Sequence, residues 1–340
     1  MESPTVARQP GLRARIAVAV LIATAAAPLA WFEPSRPGGD PGDLQQVWMG
    51  AVALLQGLDP YQVIGPDRQF RHDFEFLYPL PASLIIIPLA FLQELPAAVA
   101  FVWITTALLA FAITADGWQR LPLFLSAAFV ISVRRVQWAP LLTAAMQLPS
   151  LAWVLIAKPN VGLALLLAFR SRRTVLVAVA GGLVLAALSV LLLPQWPGEW
   201  LDAIGTARHT AAPLTQPGGF LVLLALLRWR RWEARLIVAL ACVPQSLFWY
   251  DTLPLLLVAR TFRESLMLSL VSSLGFVLDL LFLQDLEILP YYERFGALLI
   301  AVAYLPAMLL VLLRPNEGSV PQLLERLSNR VANLAKRRRR

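Results

Sequence analysis

Lys158 is the only lysine before the C-terminal tail, and it interrupts the apolar stretch Leu151–Phe169. An ammonium in hydrocarbon is costly unless paired, so a cation at that depth marks a functional site by default; the other reading is a lysine that snorkels to the headgroups. Pro159 follows at once, and the helix break it makes frees carbonyls toward a cavity rather than toward lipid. Asp43 opens the run Asp43-Leu-Gln-Gln-Val-Trp48-Met-Gly-Ala-Val-Ala-Leu-Leu55, which reads as an amphipathic helix at an interface. A carboxylate there is either a helix cap or a general base held where membrane meets water. Arg208 and His209 are adjacent, fit to meet a phosphate or merely to sit in a solvated loop. Trp249-Tyr250-Asp251 lies between two short apolar blocks. An interfacial belt accounts for the aromatics but not for the acid. Asp279, inside another apolar block, is placed to pair within a bundle.

The elements that position these groups are membrane helices. Of 340 residues, 58% are hydrophobic and 15% charged, and the mean hydropathy is +0.66. The apolar residues come in blocks approaching the ~20 residues that cross ~30 Å of hydrocarbon, without the two-residue alternation of a barrel strand. About twelve spans are expected: 14–32, 80–94, 97–115, 120–133, 137–148, 150–169, 174–193, 218–228, 236–249, 252–260, 265–283 and 295–313. With a cytoplasmic N-terminus this course puts most of the 29 basic residues inside, as the positive-inside rule requires, and most of the 21 acidic residues outside. Arg134 and Arg135 fall inside and Asp116 outside. The net charge of +8 is thereby explained without nucleic acid.

The first span also resembles a cleaved signal, although its apolar run is longer than a signal core. The loop after it, 33–79, is much the longest connection, and loops beyond about 12–15 residues are usually functional or disordered. Its amphipathic run and the turn Gly57-Leu-Asp59-Pro60-Tyr61 argue for an ordered loop. The domain expected over 1–313 is followed by a basic amphipathic tail, 314–340, suited to anionic headgroups. Cys242, the single cysteine, has no partner for a disulfide or a metal. GxxxxGK[ST], HExxH, CxxC and GxSxG are all absent, which removes support for ATP-driven, zinc and serine-hydrolase chemistry.

Four stretches resemble glycosyltransferase family 87, membrane enzymes of the GT-C class that use polyprenyl-phosphate sugars. They are Gly42-Asp43-Leu44 with the helix running to Gly57-Leu58-Asp59-Pro60-Tyr61; Leu77-Tyr78-Pro79-Leu80-Pro81 with Ile87-Pro88-Leu89-Ala90 and Trp103; Gln137 through Lys158-Pro159-Asn160-Val161-Gly162 to Arg170-Ser-Arg-Arg173; and Val243-Pro244-Gln245-Ser246-Leu247-Phe248-Trp249-Tyr250-Asp251. Two departures stand out. The family often has Gly where this chain has Val136, and His after the Trp-Asp stretch, where this chain has Tyr250-Asp251-Thr252.

The resemblance implies an all-α polytopic membrane protein, a GT-C-like bundle of about a dozen helices with a structured first outer loop. It implies transfer of a sugar, mannose on the family pattern, from a polyprenyl-phosphate donor to an acceptor hydroxyl on a glycan or glycolipid, with inversion and on the extracytoplasmic side of the plasma membrane. Both termini are then cytoplasmic. Asp43 maps onto the general base, with Asp40 as the fallback. Lys158 maps onto lipid-phosphate recognition, helped by Arg208 and His209. Asp59, Tyr61, Tyr78, Gln137, Trp249 and Asp251 become substrate contacts on the same ground. The leaving group is already a monophosphate, so no metal or other cofactor is expected. The competing class is a secondary transporter or flippase of an anionic or lipid-linked substrate, but no repeated halves are visible and the polar residues collect at one face. A purely structural subunit would have no reason to hold Lys158 at depth.

Overall fold

Ala19, Ala23, Ala26 and Ala30 share one face of the helix Leu12–Phe32, and in the computed structural model all four are buried. The structure describes residues 10–32, 42–169, 171–206, 210–284 and 288–317. Small side chains let two backbones approach closely, and the partner here is the helix Glu94–Ile113. The pair is antiparallel. Arg15 Nη2 donates to the Phe111 carbonyl at 2.7 Å near one end, and Trp103 Nε1 donates to Thr24 Oγ1 at 3.2 Å further along.

Among the described residues five helices are long and apolar enough to cross a membrane: Leu12–Trp31, Glu94–Ile113, Arg172–Leu192, Phe262–Phe282 and Arg294–Leu312. The helix Arg172–Leu192 turns Leu176, Leu183 and Leu191 outward, a surface that belongs in lipid rather than water. The chain is an all-helical membrane protein. Among the described residues its only strands are Ile64–Gly65 and Phe70–Arg71, paired in parallel within the first loop.

Most other expected spans are broken into short pieces, for a reason the sequence contains. Leu121–Leu125 precedes Ala127–Arg134, Ala139–Ala145 stands alone, and Pro149–Ala157 precedes Pro159–Ala168. Pro122, Pro140, Pro149 and Pro159 each occupy a first turn, where the missing amide is harmless but the preceding helix cannot continue. Gly219–Arg228, Trp232–Cys242 and Trp249–Val258, with Pro254 inside the last, are short as well. Among the described residues, five full-length helices therefore stand among shorter ones at the positions of the expected spans.

The expected course is also wrong between residues 80 and 135. Leu80–Leu89 rises roughly 15 Å, half the thickness of the hydrocarbon layer, and then turns back. Gln45 Nε2 donates to Glu94 Oε1 at 2.8 Å, and Trp48 Nε1 to the Leu92 carbonyl at 3.2 Å, so residues 92–94 return to the first loop. Everything up to Arg135 is inverted in consequence. The Asp43 amide meets the Arg135 carbonyl at 3.1 Å, although these residues were expected on opposite sides. Asp116 and Arg120 lie at the Arg15 end instead, where Arg120 Nε donates to the Ala259 carbonyl at 3.1 Å.

That second end is locked by charge. Glu233, fully buried, accepts from Arg231 at 3.1 Å, Arg260 at 2.9 Å and Arg314 at 3.5 Å. Glu317 bridges Arg231 and Arg260, and Glu264 takes Arg314 at 2.7 Å. The network ties the short helix Trp232–Cys242 to the ends of Trp249–Val258 and Leu305–Leu312 and to the start of Phe262–Phe282. At the Asp43 end a separate apolar cluster of Met49, Tyr61, Ile64, Phe76, Leu80 and Trp196 supports the first loop.

Candidate functional site

Asp43 precedes the helix Leu44–Leu55, yet its side chain makes no capping bond. The carboxylate turns aside and accepts from the Tyr78 hydroxyl at 3.3 Å. Its backbone is fixed from below. Gly42 has φ 80°, and a Cβ there would stand 2.3 Å from the Arg135 carbonyl that receives the Asp43 amide. Only glycine fits that approach with that dihedral. Burial, and next the charge of Asp43, hold the Tyr78 hydroxyl well above its ordinary pKa, so it stays a donor. Tyr250 and Asp251 also act on Tyr78, which places the four groups in one electrostatic neighbourhood.

Lys158 does not snorkel. It sits where Pro149–Ala157 ends and Pro159–Ala168 begins, and its Nζ lies 3.0 Å from Asp251 Oδ1 and 4.8 Å from the centre of the Tyr250 ring. The Lys158 side chain is 16% exposed and that of Asp251 only 2%. Ser246 Oγ donates to Asp251 Oδ2 at 3.1 Å and lies 3.1 Å from the Tyr250 hydroxyl. Lys158, Tyr250 and Asp251, with Ala139, Leu142, Val161 and Pro254, line a small recess of about 10 Å³, room for a water-sized group. An ammonium facing apolar walls suits an anion carried on a hydrocarbon chain.

The remaining expected contacts are placed differently. Trp249 is buried, its indole N–H held by Asp279 at 3.1 Å, so Asp279 finds its partner within the bundle and Trp249 supports Tyr250 and Asp251 from behind. Gln137 is also buried; its Nε2 reaches the Arg135 carbonyl at 3.5 Å, while its Oε1 has no partner among the described residues. Asp59 caps the short helix Pro60–Val63, accepting from the Tyr61 amide at 2.9 Å. Tyr61 donates to the Tyr78 carbonyl at 2.9 Å, and burial pushes its own hydroxyl pKa upward. Asp59 and Tyr61 thus brace the strand of chain that presents Tyr78. Gln62 and Trp200 join this loop to the helix Trp196–Gly205 through Glu199 at 2.9 Å and the Leu77 carbonyl at 3.1 Å. Burial and the nearby Asp59 charge raise Glu199 above its ordinary value, against the hydrogen bond from Gln62.

Arg208, His209 and the fallback base Asp40 lie outside the described residues. Past the first two, Ala211 forms a two-way backbone bridge with Gln245, next to Ser246. Sequence reasoning did not single out Ser246, the Arg135 carbonyl, or the left-handed backbone of Val136 at φ 48° and Leu247 at φ 51°. Branched or bulky residues rarely adopt that conformation, and such strain gathers at functional sites. Neither residue type signals a left-handed backbone; at position 136 the only hint is the glycine that the resembled family often has there, and at Leu247 there is none.

Among the described residues no three His, Cys, Asp or Glu side chains form a group that would hold a metal. No protein-family model, curated protein or solved structure matches the chain.

Proposed function

We propose that the protein is a membrane glycosyltransferase that moves a sugar, mannose on the resemblance, from a polyprenyl-phosphate donor to an acceptor hydroxyl. The observation that carries this reading is the meeting, at one end of the bundle, of a carboxylate free of capping duty and a lysine beside a recess, from positions 43 and 158. In this reading Asp43 takes the proton of the acceptor hydroxyl as that oxygen attacks the anomeric carbon, and the donor's C–O bond to phosphate breaks on the opposite face. The configuration inverts. Lys158 meets the phosphate as it departs, placing positive charge where negative charge develops. Residue 136, where the resembled family often has glycine, is in the left-handed region, as a backbone evolved around glycine there would be.

The remaining parts of the proposal concern the membrane. The short helices pair end to end into further crossings of a GT-C-like bundle, with Leu80–Leu89 as a re-entrant element. The corrected course moves Arg134 and Arg135 to the Asp43 end and Arg120 to the other, which leaves the arginine excess near Arg15, Arg228, Arg231, Arg260 and Arg314. That excess puts the N-terminus and the tail from residue 314 in the cytoplasm and the Asp43 end outside the plasma membrane. The acceptor is then an extracytoplasmic glycan or glycolipid. Transfer from polyprenyl-phosphate mannose in membranes that carry the protein, absent from membranes that lack it, is the test; membranes with the protein that transfer no sugar from any polyprenyl-phosphate donor would refute the reading.

A further inference from the structure

The arginines at the Arg15 end divide into two sets. Arg231, Arg260 and Arg314 are spent on Glu233, Glu264 and Glu317. Arg172, Arg173, Arg230 and Arg235 gather instead beside the lipid-facing surface. Arg172 and Arg173 are exposed at the start of the helix Arg172–Leu192, and among the described residues neither side chain has a hydrogen bond or an ion pair. Arg235 reaches carbonyls only, those of Leu167 at 3.3 Å and Arg230 at 3.1 Å. It thereby holds the turn at Arg230 against the end of the helix Pro159–Ala168, a few residues before Arg172. We propose that this second set is a binding site for the headgroup of an anionic phospholipid, one whose phosphate has no amine of its own to balance it. The site requires only a membrane protein and stands apart from the transfer reading.

The surroundings of the cluster select this partner. Leu163 and Leu167 are exposed on one face of Pro159–Ala168, Leu176 is exposed a turn beyond Arg172, and Leu227 and Trp229 are exposed beside Arg230. A basic rim on apolar surface fits a charged head with hydrocarbon tails; a soluble anion would leave the leucines uncovered. Guanidinium forks match phosphate oxygens two at a time. Arg172 and Arg173 gain nothing from their own helix, whose first turn is the positive end of its dipole. Arg235 keeps its full charge, because a carbonyl orients a guanidinium without neutralising it. The Trp229 ring, 5.7 Å from the Arg230 guanidinium, is of the kind that settles at the boundary between headgroups and chains. A zwitterionic headgroup brings an ammonium into the same cluster and so gains less.

The probe is phosphatidylglycerol with brominated chains, titrated into phosphatidylcholine vesicles that hold the full-length protein, with brominated phosphatidylcholine as the reference. Bromine quenches a nearby indole, and the share of emission from Trp229 is the difference between wild type and Trp229→Phe. The wild type is expected to prefer phosphatidylglycerol at Trp229 by about tenfold at low salt, with the preference fading as salt rises. Arg172→Gln with Arg173→Gln brings the two lipids to near parity, and the fold survives because these side chains hold nothing else in place. Arg235→Gln lowers the preference by about fivefold. Two controls leave it unchanged: Arg13→Gln with Arg263→Gln, exposed arginines of the same end outside the cluster, and glutamine at all four of Arg337 to Arg340 in the tail. A preference absent from the wild type, or one that survives Arg172→Gln with Arg173→Gln, overturns the site. So does a preference lost equally in either control, which would assign it to diffuse charge or to the tail.

Discussion

The Asp43 carboxylate and the Lys158 ammonium stand out in the sequence because each breaks its surroundings: an acid ahead of an apolar run, a lone lysine inside one. Their partners do not stand out. Tyr78 reads as one more motif aromatic, and the string gives no hint that its hydroxyl faces Asp43 across 35 residues. Ser246 is an ordinary serine until Asp251 is seen against it. In the proposed reaction Asp43→Asn removes the base and leaves the carboxamide in place, so kcat is expected to fall by roughly 10²–10⁴-fold with donor affinity retained. Tyr78→Phe removes only the hydrogen bond that orients the base, and a loss of about tenfold in kcat, without a matching rise in KM, is expected. Steady-state kinetics on both variants checks this. Equal losses in the two would mean that Tyr78 has a role of its own.

At the scale of the element, helix existence is legible and helix reach is not. The run from Asp43 to Leu55 and the turn at Asp59-Pro60 appear as expected, because amphipathic spacing and a capping acid are local signals. The return of Leu80–Leu89 is not local; it depends on Gln45 and Trp48 catching residues 92–94, and charge counting has no way to register an element that enters and leaves by one face. Two predictions belong here. Gly42→Ala would force a left-handed alanine into the Arg135 carbonyl, at a cost of about 1–2 kcal/mol for the dihedral alone; a drop in unfolding midpoint together with a loss of transfer is the expected result. Glu233 is the hub of the arginine network at the other end. Its burial opposes the charged form, but its own backbone amide and then Arg231 and Arg260 outweigh that and hold its pKa below the ordinary value. A depressed carboxylate stabilises the fold above its unfolded pKa of about 4.3 and loses that contribution as pH falls through the lower folded value. Glu233→Gln is therefore expected to destabilise by about 3 kcal/mol at neutral pH. Thermal unfolding in detergent should show the gap from wild type closing below about pH 4. A gap that is constant with pH would mean that packing, not charge, is what Glu233 supplies.

For the whole molecule, composition points to a helical membrane protein, and in the proposed topology the arginine excess marks the cytoplasmic end. Charge counting does not place residues 80–135 correctly, because it has no way to register that Leu80–Leu89 turns back and that Arg135 meets Asp43. Single cysteines at Gln93 and Asp116, both exposed, in a Cys242→Ser background, separate the two courses. An impermeant maleimide on intact cells should label Gln93→Cys from outside and Asp116→Cys only after permeabilisation. The reverse pattern would restore the crossing at 80–94 and separate Asp43 from Arg135. The central claim, that Asp43 and Lys158 serve one glycosyl transfer, is tested most directly by transfer from polyprenyl-phosphate mannose in membranes holding wild type, Asp43→Asn or Lys158→Ala at matched expression. The account predicts transfer by the wild type, none by Asp43→Asn, and for Lys158→Ala a loss that grows as donor is made scarce. Undiminished transfer by Asp43→Asn would contradict it.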